Sequence, residues 1–125
     1  MYELALVMIG GAVGSALRYG VSHLVATVPG TFPWSTFAVN IVGSFVLGVL
    51  IGTSLVSTAV SRPLLLLLGT GLCGGFTTYS AFAVETVLLA QEGHIPTAAT
   101  YVIATLLCCA VAAFAGILTP RLFSH

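Results

Sequence analysis

The stretch Leu64-Leu65-Leu66-Leu67-Leu68-Gly69-Thr70-Gly71-Leu72-Cys73-Gly74-Gly75-Phe76-Thr77-Thr78-Tyr79-Ser80-Ala81-Phe82 admits two opposite readings. Gly69 to Gly74 matches the GxGxxG pattern of a dinucleotide-binding turn. That pattern carries its meaning only between the strand and the helix of a βαβ unit. Here five leucines precede it and an apolar run continues to Ala90. The segment 64–90 is therefore read as a membrane span, and the nucleotide reading is rejected.

Working outward, three more runs have the ~20 apolar residues that a helix needs to cross a ~30 Å hydrocarbon core. They lie at about 4–26, 34–57 and 97–118. Each is apolar on every face, so hydropathy rather than amphipathic period identifies it. The connectors are short. Val28-Pro29-Gly30-Thr31-Phe32-Pro33 is punctuated by two prolines and a glycine, which mark a turn. The first span is expected to stay in the protein rather than act as a cleavable leader: no basic residue precedes it and three spans follow. The alternating strands of a membrane β-barrel are absent from the sequence. The fold expected is a single all-α, four-span membrane domain over residues 1–125.

Composition agrees. The 125 residues carry three Arg, no Lys and three Glu, which is 5% charged, and 58% are hydrophobic. A soluble domain is typically about 25% charged, and six charges cannot coat a water-soluble globule. A soluble enzyme and a disordered tail are excluded. With net charge zero and no basic patch, so is a nucleic-acid binder.

Lys and Arg in loops orient a membrane protein. Four spans place the N-terminus, the second connector and the C-terminus on one side, with Arg62 and Arg121; Arg18, late in the first span, can snorkel to the other. Two against one is a small bias. It allows insertion in both orientations and an antiparallel pairing of two copies; a fixed orientation with Arg62 and Arg121 cytoplasmic is the alternative.

Several residues read simply as packing. Cys73, Cys108 and Cys109 form no CxxC pair and suit small packing positions. Gly10/Gly14, Gly48/Gly52 and Gly71/Gly75 are small residues four apart, which let helices approach closely in lipid. Other residues fit packing less well. Gly74 and Gly75, each costing ~1 kcal/mol in a helix, precede Thr77, Thr78 and Ser80, whose hydroxyls compete for backbone. A break near 74–79 is expected to divide the third span. Freed backbone in hydrocarbon must be satisfied, either by Ser and Thr side chains or by a hard cation on exposed carbonyls. Asn40, with Thr36 one turn earlier, is either an interhelical hydrogen-bonding group or an amide donor to an anion. Tyr79 and Phe82, three apart, share a helical face; their positive ring edges serve either packing or an anion. Arg18 lies ~21 Å along its helix from Leu4, near the interface, where it snorkels or gathers anions at a pore mouth. Glu85 follows the break, within reach of Arg18, another donor or the interface.

Together these segments resemble the CrcB/Fluc fluoride channels. Gly10-Gly11-Ala12-Val13-Gly14-Ser15-Ala16-Leu17-Arg18 is similar to that family's GGxxGxxxR opening, Thr36-Phe37-Ala38-Val39-Asn40-Ile41-Val42-Gly43 to its TxxxNxxG segment, and Gly71 to Phe82 to its GxCGGxTTFSxF stretch. Leu88–Gly93 resembles the end of its third span. The resemblance implies a dual-topology, antiparallel homodimer with two fluoride pores in the bacterial inner membrane. Fluoride would leave the cytoplasm passively. It implies that Asn40 faces the pore and that Tyr79 and Phe82 line it with ring edges. It also implies that Thr78 and Ser80 begin a hydroxyl track, that Arg18 lies near the vestibule, and that the Gly74 and Thr77 carbonyls hold a structural Na⁺ between subunits. Tyr79 stands where most members carry Phe. Cys108, Cys109 and Ala113 stand where Ser or Thr of the track would be sought.

The alternative function is a small four-span, proton-coupled cation or drug exporter. That chemistry needs a buried acid in the first span, where this chain has Arg18, with Glu3 at the terminus. A non-transporting scaffold would have no use for Asn40 or for a break in the third span.

Overall fold

The computed structural model describes residues 1–123. Among them every regular element is helical, and four helices are long and apolar enough to cross a membrane: Tyr2–Leu24, Trp34–Val56, Arg62–Gln91 and Ile95–Phe123. The first lies two residues earlier than the hydropathy run. The fourth runs past both ends of 97–118. Pro96 falls in its first turn, where its missing N–H costs nothing. Pro120 lies inside its last turn.

Backbone contact pairs the helices. A side chain at Gly10 would meet the Leu67 carbonyl and, at 2.8 Å, the Leu72 nitrogen; one at Gly75 would meet the Gly11 carbonyl at 2.5 Å. The first span therefore lies directly on the N-terminal half of the third. Gly48, Gly52 and Gly116 do the same for the second and fourth spans, against the backbones of Ala113, Ile117 and Phe45. In lipid there is no hydrophobic gain from bringing two apolar helices together. Close backbone approach at small residues supplies dispersion contact instead. Most large apolar side chains face outward, Met8, Leu17, Leu107, Val111 and Phe114 among them, as a bilayer solvent permits.

The third span is irregular. Residues Leu65–Cys73 form a π-helical run. Such wide turns are rare and are found mostly at functional sites. Thr77 (φ −81°, ψ 160°) and Thr78 (φ −151°, ψ 117°) are extended, and Tyr79–Gln91 is helical again. The threonines serve both flanking helices. Thr77 Oγ1 donates to the Cys73 carbonyl at 2.9 Å. Thr78 Oγ1 accepts from the Ala81 N–H at 3.2 Å, the geometry of an N-cap. Gly93 (φ +85°) closes the far end, with its own N–H and that of His94 returning to the Ala90 and Leu89 carbonyls, as at many helix ends.

The C-terminal half of the third span packs on the fourth through Phe82, Leu89, Ala98 and Tyr101. Phe32, from the first connector, joins them with its ring centroid 5.2 Å from that of Tyr101. At the opposite end Arg62 donates from Nε and Nη2 to the two Glu3 oxygens at 2.7 and 3.1 Å. The N-terminus and the second connector thus share a side. This pair is exposed, and pairs of that kind contribute little to stability.

Candidate functional site

The site grows from the two extended threonines. A residue that leaves the helix frees an N–H and a carbonyl, and inside a membrane both require partners. Asn40 supplies them. Its Nδ2 donates to the Thr78 carbonyl at 3.1 Å and its Oδ1 accepts from the Thr78 N–H at 2.8 Å. One side-chain amide so replaces the lost helical partners of one residue. An amide Nδ2 carries two hydrogens, so one remains for another acceptor. Arg18 takes part as well: its Nε donates to the Gly75 carbonyl at 3.0 Å. The Gly74 and Thr77 carbonyls are not among those that Arg18, Asn40 and Thr77 take up. A side chain at Gly74 would meet nothing within 4 Å. Both carbonyls are hard oxygen donors, the class that alkali cations take; Gly74 is exposed and Thr77 partly so.

Thr78 lines two cavities. One of about 370 Å³ is lined by Ser15, Arg18, Ser22, Ser35, Thr36, Thr78 and Glu85. The other, about 320 Å³, is lined by Asn40, Ser44, Thr78, Tyr79, Phe82, Thr105 and Cys109. Arg18, Thr36 and Thr78 therefore share the first; Asn40, Thr78, Tyr79 and Phe82 share the second. Ser80 is exposed and lines neither, although its Oγ lies 3.4 Å from Thr78 Oγ1. The Tyr79 and Phe82 ring centroids are 5.6 Å apart. Phe82 is buried and sets its ring edgewise on Tyr101. Tyr79 is 77% exposed.

Three residues carry more of the site than their place in the sequence suggests. Glu85 accepts from Thr36 Oγ1 at Oε1 and from the Tyr101 hydroxyl at Oε2, each at 2.7 Å. The two hydroxyls occupy the carboxylate, and Arg18 bonds to backbone instead. Tyr101 is wholly buried between Glu85 and Phe82. Thr105 is buried too, and its Oγ1 has no hydrogen-bond partner among the described residues. An unpaired hydroxyl in an apolar surrounding costs roughly 1–3 kcal/mol. The residue is part of the wall of the 320 Å³ cavity, while the hydroxyl oxygen itself is covered. Tyr101, Thr105 and Cys109 fall at positions i, i+4 and i+8, one polar stripe on the fourth span. That spacing is the signal by which the sequence could have disclosed them.

The lining of the 320 Å³ cavity combines an amide, hydroxyls, a thiol and aromatic rings; that of the 370 Å³ cavity adds one guanidinium and one carboxylate. Among the described residues no group of three His, Cys, Asp or Glu could hold a metal ion.

The chain is similar to known proteins over nearly its whole length. Residues 5–117 match the family described as "CrcB-like protein, Camphor Resistance (CrcB)". A protein of Gloeobacter violaceus named "Fluoride-specific ion channel FluC" is 46% identical, covering 95% of this chain and 96% of its own length. One of Novosphingobium aromaticivorans with the same name is 42% identical over 97% and 98%. "Fluoride-specific ion channel FluC 2" of Bacillus licheniformis is 48% identical over 97% and 89%.

Proposed function

The chain belongs to the CrcB family, and on that premise we propose that it is a fluoride-selective passive channel that lets F⁻ leave the cytoplasm across the bacterial inner membrane. The observation that carries the proposal is the Asn40 amide clamped on Thr78, the residue that lines both cavities. Fluoride is small and strongly hydrated, so a path for it must replace water with donors and must not trap it. Neutral donors suit that need, because conduction requires binding that is favourable yet weak.

In this reading Arg18 concentrates anions in the wider cavity. The spare Asn40 N–H, the Tyr79 and Phe82 ring edges and the Thr105 hydroxyl then receive fluoride in turn, with Thr78 at the junction. Glu85 would repel an anion if its oxygens were bare. Thr36 and Tyr101 donate to them, which offsets part of its charge, and Arg18 lines the same cavity.

The second copy is part of the proposal. Tyr79 and Gly74 face outward, so one chain supplies only part of the wall. An antiparallel homodimer would complete two pores and would place paired Gly74 and Thr77 carbonyls around a structural Na⁺. The exporter alternative finds little support: Glu3, the acid of the first span, is tied to Arg62 at the span's end.

The test is efflux of fluoride from proteoliposomes, followed with a fluoride electrode and with chloride as comparator. The expected result is rapid fluoride efflux with chloride retained. Equal retention of both ions would overturn the proposal.

A further inference from the structure

Asn40, Ser44, Leu47 and Ile51 stand at positions i, i+4, i+7 and i+11 of the second span, which is one face of a helix. The face is polar at its Asn40 end and apolar at the other. Leu47 and Gly69 line the 320 Å³ cavity and also a third, of about 230 Å³, whose remaining wall is Ile51, Leu65 and Thr70. That third cavity lies toward the Arg62 end of the third span. Gly69 is buried, and a methyl group there would stand 3.4 Å from Leu47 Cδ1. A leucine therefore faces bare backbone where both cavities have their wall. Thr70, next in the π-helical run, is exposed. Thr53, Thr86, Thr100 and Thr119 return their hydroxyls to the carbonyl four residues back. Thr70 makes no side-chain hydrogen bond among the described residues. A hydroxyl without a partner at membrane depth is costly, and π-helical turns are found mostly at functional sites.

We propose that Leu47 is an apolar gate in the anion passage and that Thr70 is the hydroxyl that receives fluoride beyond it, an inference that rests on the channel reading. Fluoride leaves the Asn40 cavity over Gly69, where the missing side chain leaves room, and passes Leu47. Leucine offers no hydrogen bond in place of water, so this point resists an ion by dewetting. The Thr70 hydroxyl offers a hydrogen on the far side and lowers the cost of crossing. Cys108, Cys109 and Ala113 of the fourth span carry no hydroxyl; on this path the third span supplies one instead. The passage then runs from the Arg18 cavity to the Arg62 end of the chain.

The experiment measures fluoride efflux from proteoliposomes of the full-length chain and its variants, each first shown to keep the size-exclusion profile of the unaltered protein. Leu47→Phe should lower efflux to that of empty vesicles, and Leu47→Ala should raise it. Gly69→Ala, whose methyl group fits at ordinary contact distance, should fold normally and lower efflux several-fold. Thr70→Val should lower efflux as well, and Thr70→Ser should restore it. Full efflux in Leu47→Phe would overturn the gate, as would Leu47→Ala efflux at or below that of the unaltered chain. Full efflux in Thr70→Val would overturn the role of Thr70. A second measurement does not depend on conduction. Thr70→Cys in proteoliposomes is treated on both sides with a charged, membrane-impermeant methanethiosulfonate, and the modified positions are mapped by peptide mass. Modification at position 70 is expected, because a leg of the passage holds water. Its absence would show that lipid covers the groove and would overturn the proposal. If the unaltered protein passes no fluoride, the channel reading fails separately, and the labelling alone decides whether water reaches Thr70.

Discussion

Asn40 does two things with one side chain. It closes the hydrogen bonds of Thr78 and keeps a second Nδ2 hydrogen on the wall of the 320 Å³ cavity. Asn40→Asp keeps the acceptor that meets the Thr78 N–H, removes the donor that meets the Thr78 carbonyl, and adds a charge of the anion's own sign. The carbonyl left unpaired costs ~1–3 kcal/mol. Fluoride efflux should therefore fall about tenfold or more, at 1.4 kcal/mol per decade, in the proteoliposome assay. Unaltered efflux would remove Asn40 from the passage. The sequence made this residue conspicuous, since an amide inside an apolar span needs a partner. It did not reveal the partner, because Thr78 is 38 positions away and only the fold brings them together. Glu85 was legible as an odd charge but not as the acceptor for Thr36 and Tyr101. Those bonds depend on the rotation of three helices, which hydropathy does not encode.

The elements are held by glycines at backbone crossings rather than by a large apolar core. A methyl group at Gly48 would meet the Ala113 backbone, and one at Gly116 the Phe45 carbonyl. Because backbone cannot step aside as a flexible side chain can, Gly48→Ala and Gly116→Ala should each destabilise by about 1–3 kcal/mol. Gly20→Ala, with nothing within 4 Å of the added carbon, should be neutral. Thermal unfolding in detergent, read by size-exclusion recovery, checks this. Equal stability of all three variants would contradict the packing described. The small-residue spacing identified these surfaces before any coordinates. Which surface meets which was not legible, because Gly10/Gly14, Gly48/Gly52 and Gly71/Gly75 are equivalent as patterns. The fourth helix extends beyond its apolar run of about 97–118 at both ends, and Pro96 and Pro120 fall in its terminal turns, the first where a helix tolerates proline.

For the whole molecule, the number and place of the spans followed from hydropathy alone, because in lipid a helix must satisfy its own backbone whatever its neighbours are. Assembly is a different matter. The proposed homodimer would depend on a surface of this chain meeting its own copy, and sequence pattern records that only as a shortage of orienting charge. The outward-facing Gly74 and Tyr79 support a second copy, with sodium between the carbonyls of both. Replacing all sodium by N-methylglucamine should then lower fluoride efflux and weaken the dimer on size exclusion. Full efflux and an intact dimer in sodium-free medium would remove the cation from the account. The central claim is that the passage carries fluoride, passively and in preference to other anions. The measurement that tests it most directly is the reversal potential of reconstituted protein under opposed gradients of fluoride and chloride. The account predicts a potential that tracks the fluoride gradient, by about 59 mV per tenfold change for a monovalent ion, and ignores the chloride gradient. A potential that tracks chloride, or no anion current at all, would contradict it.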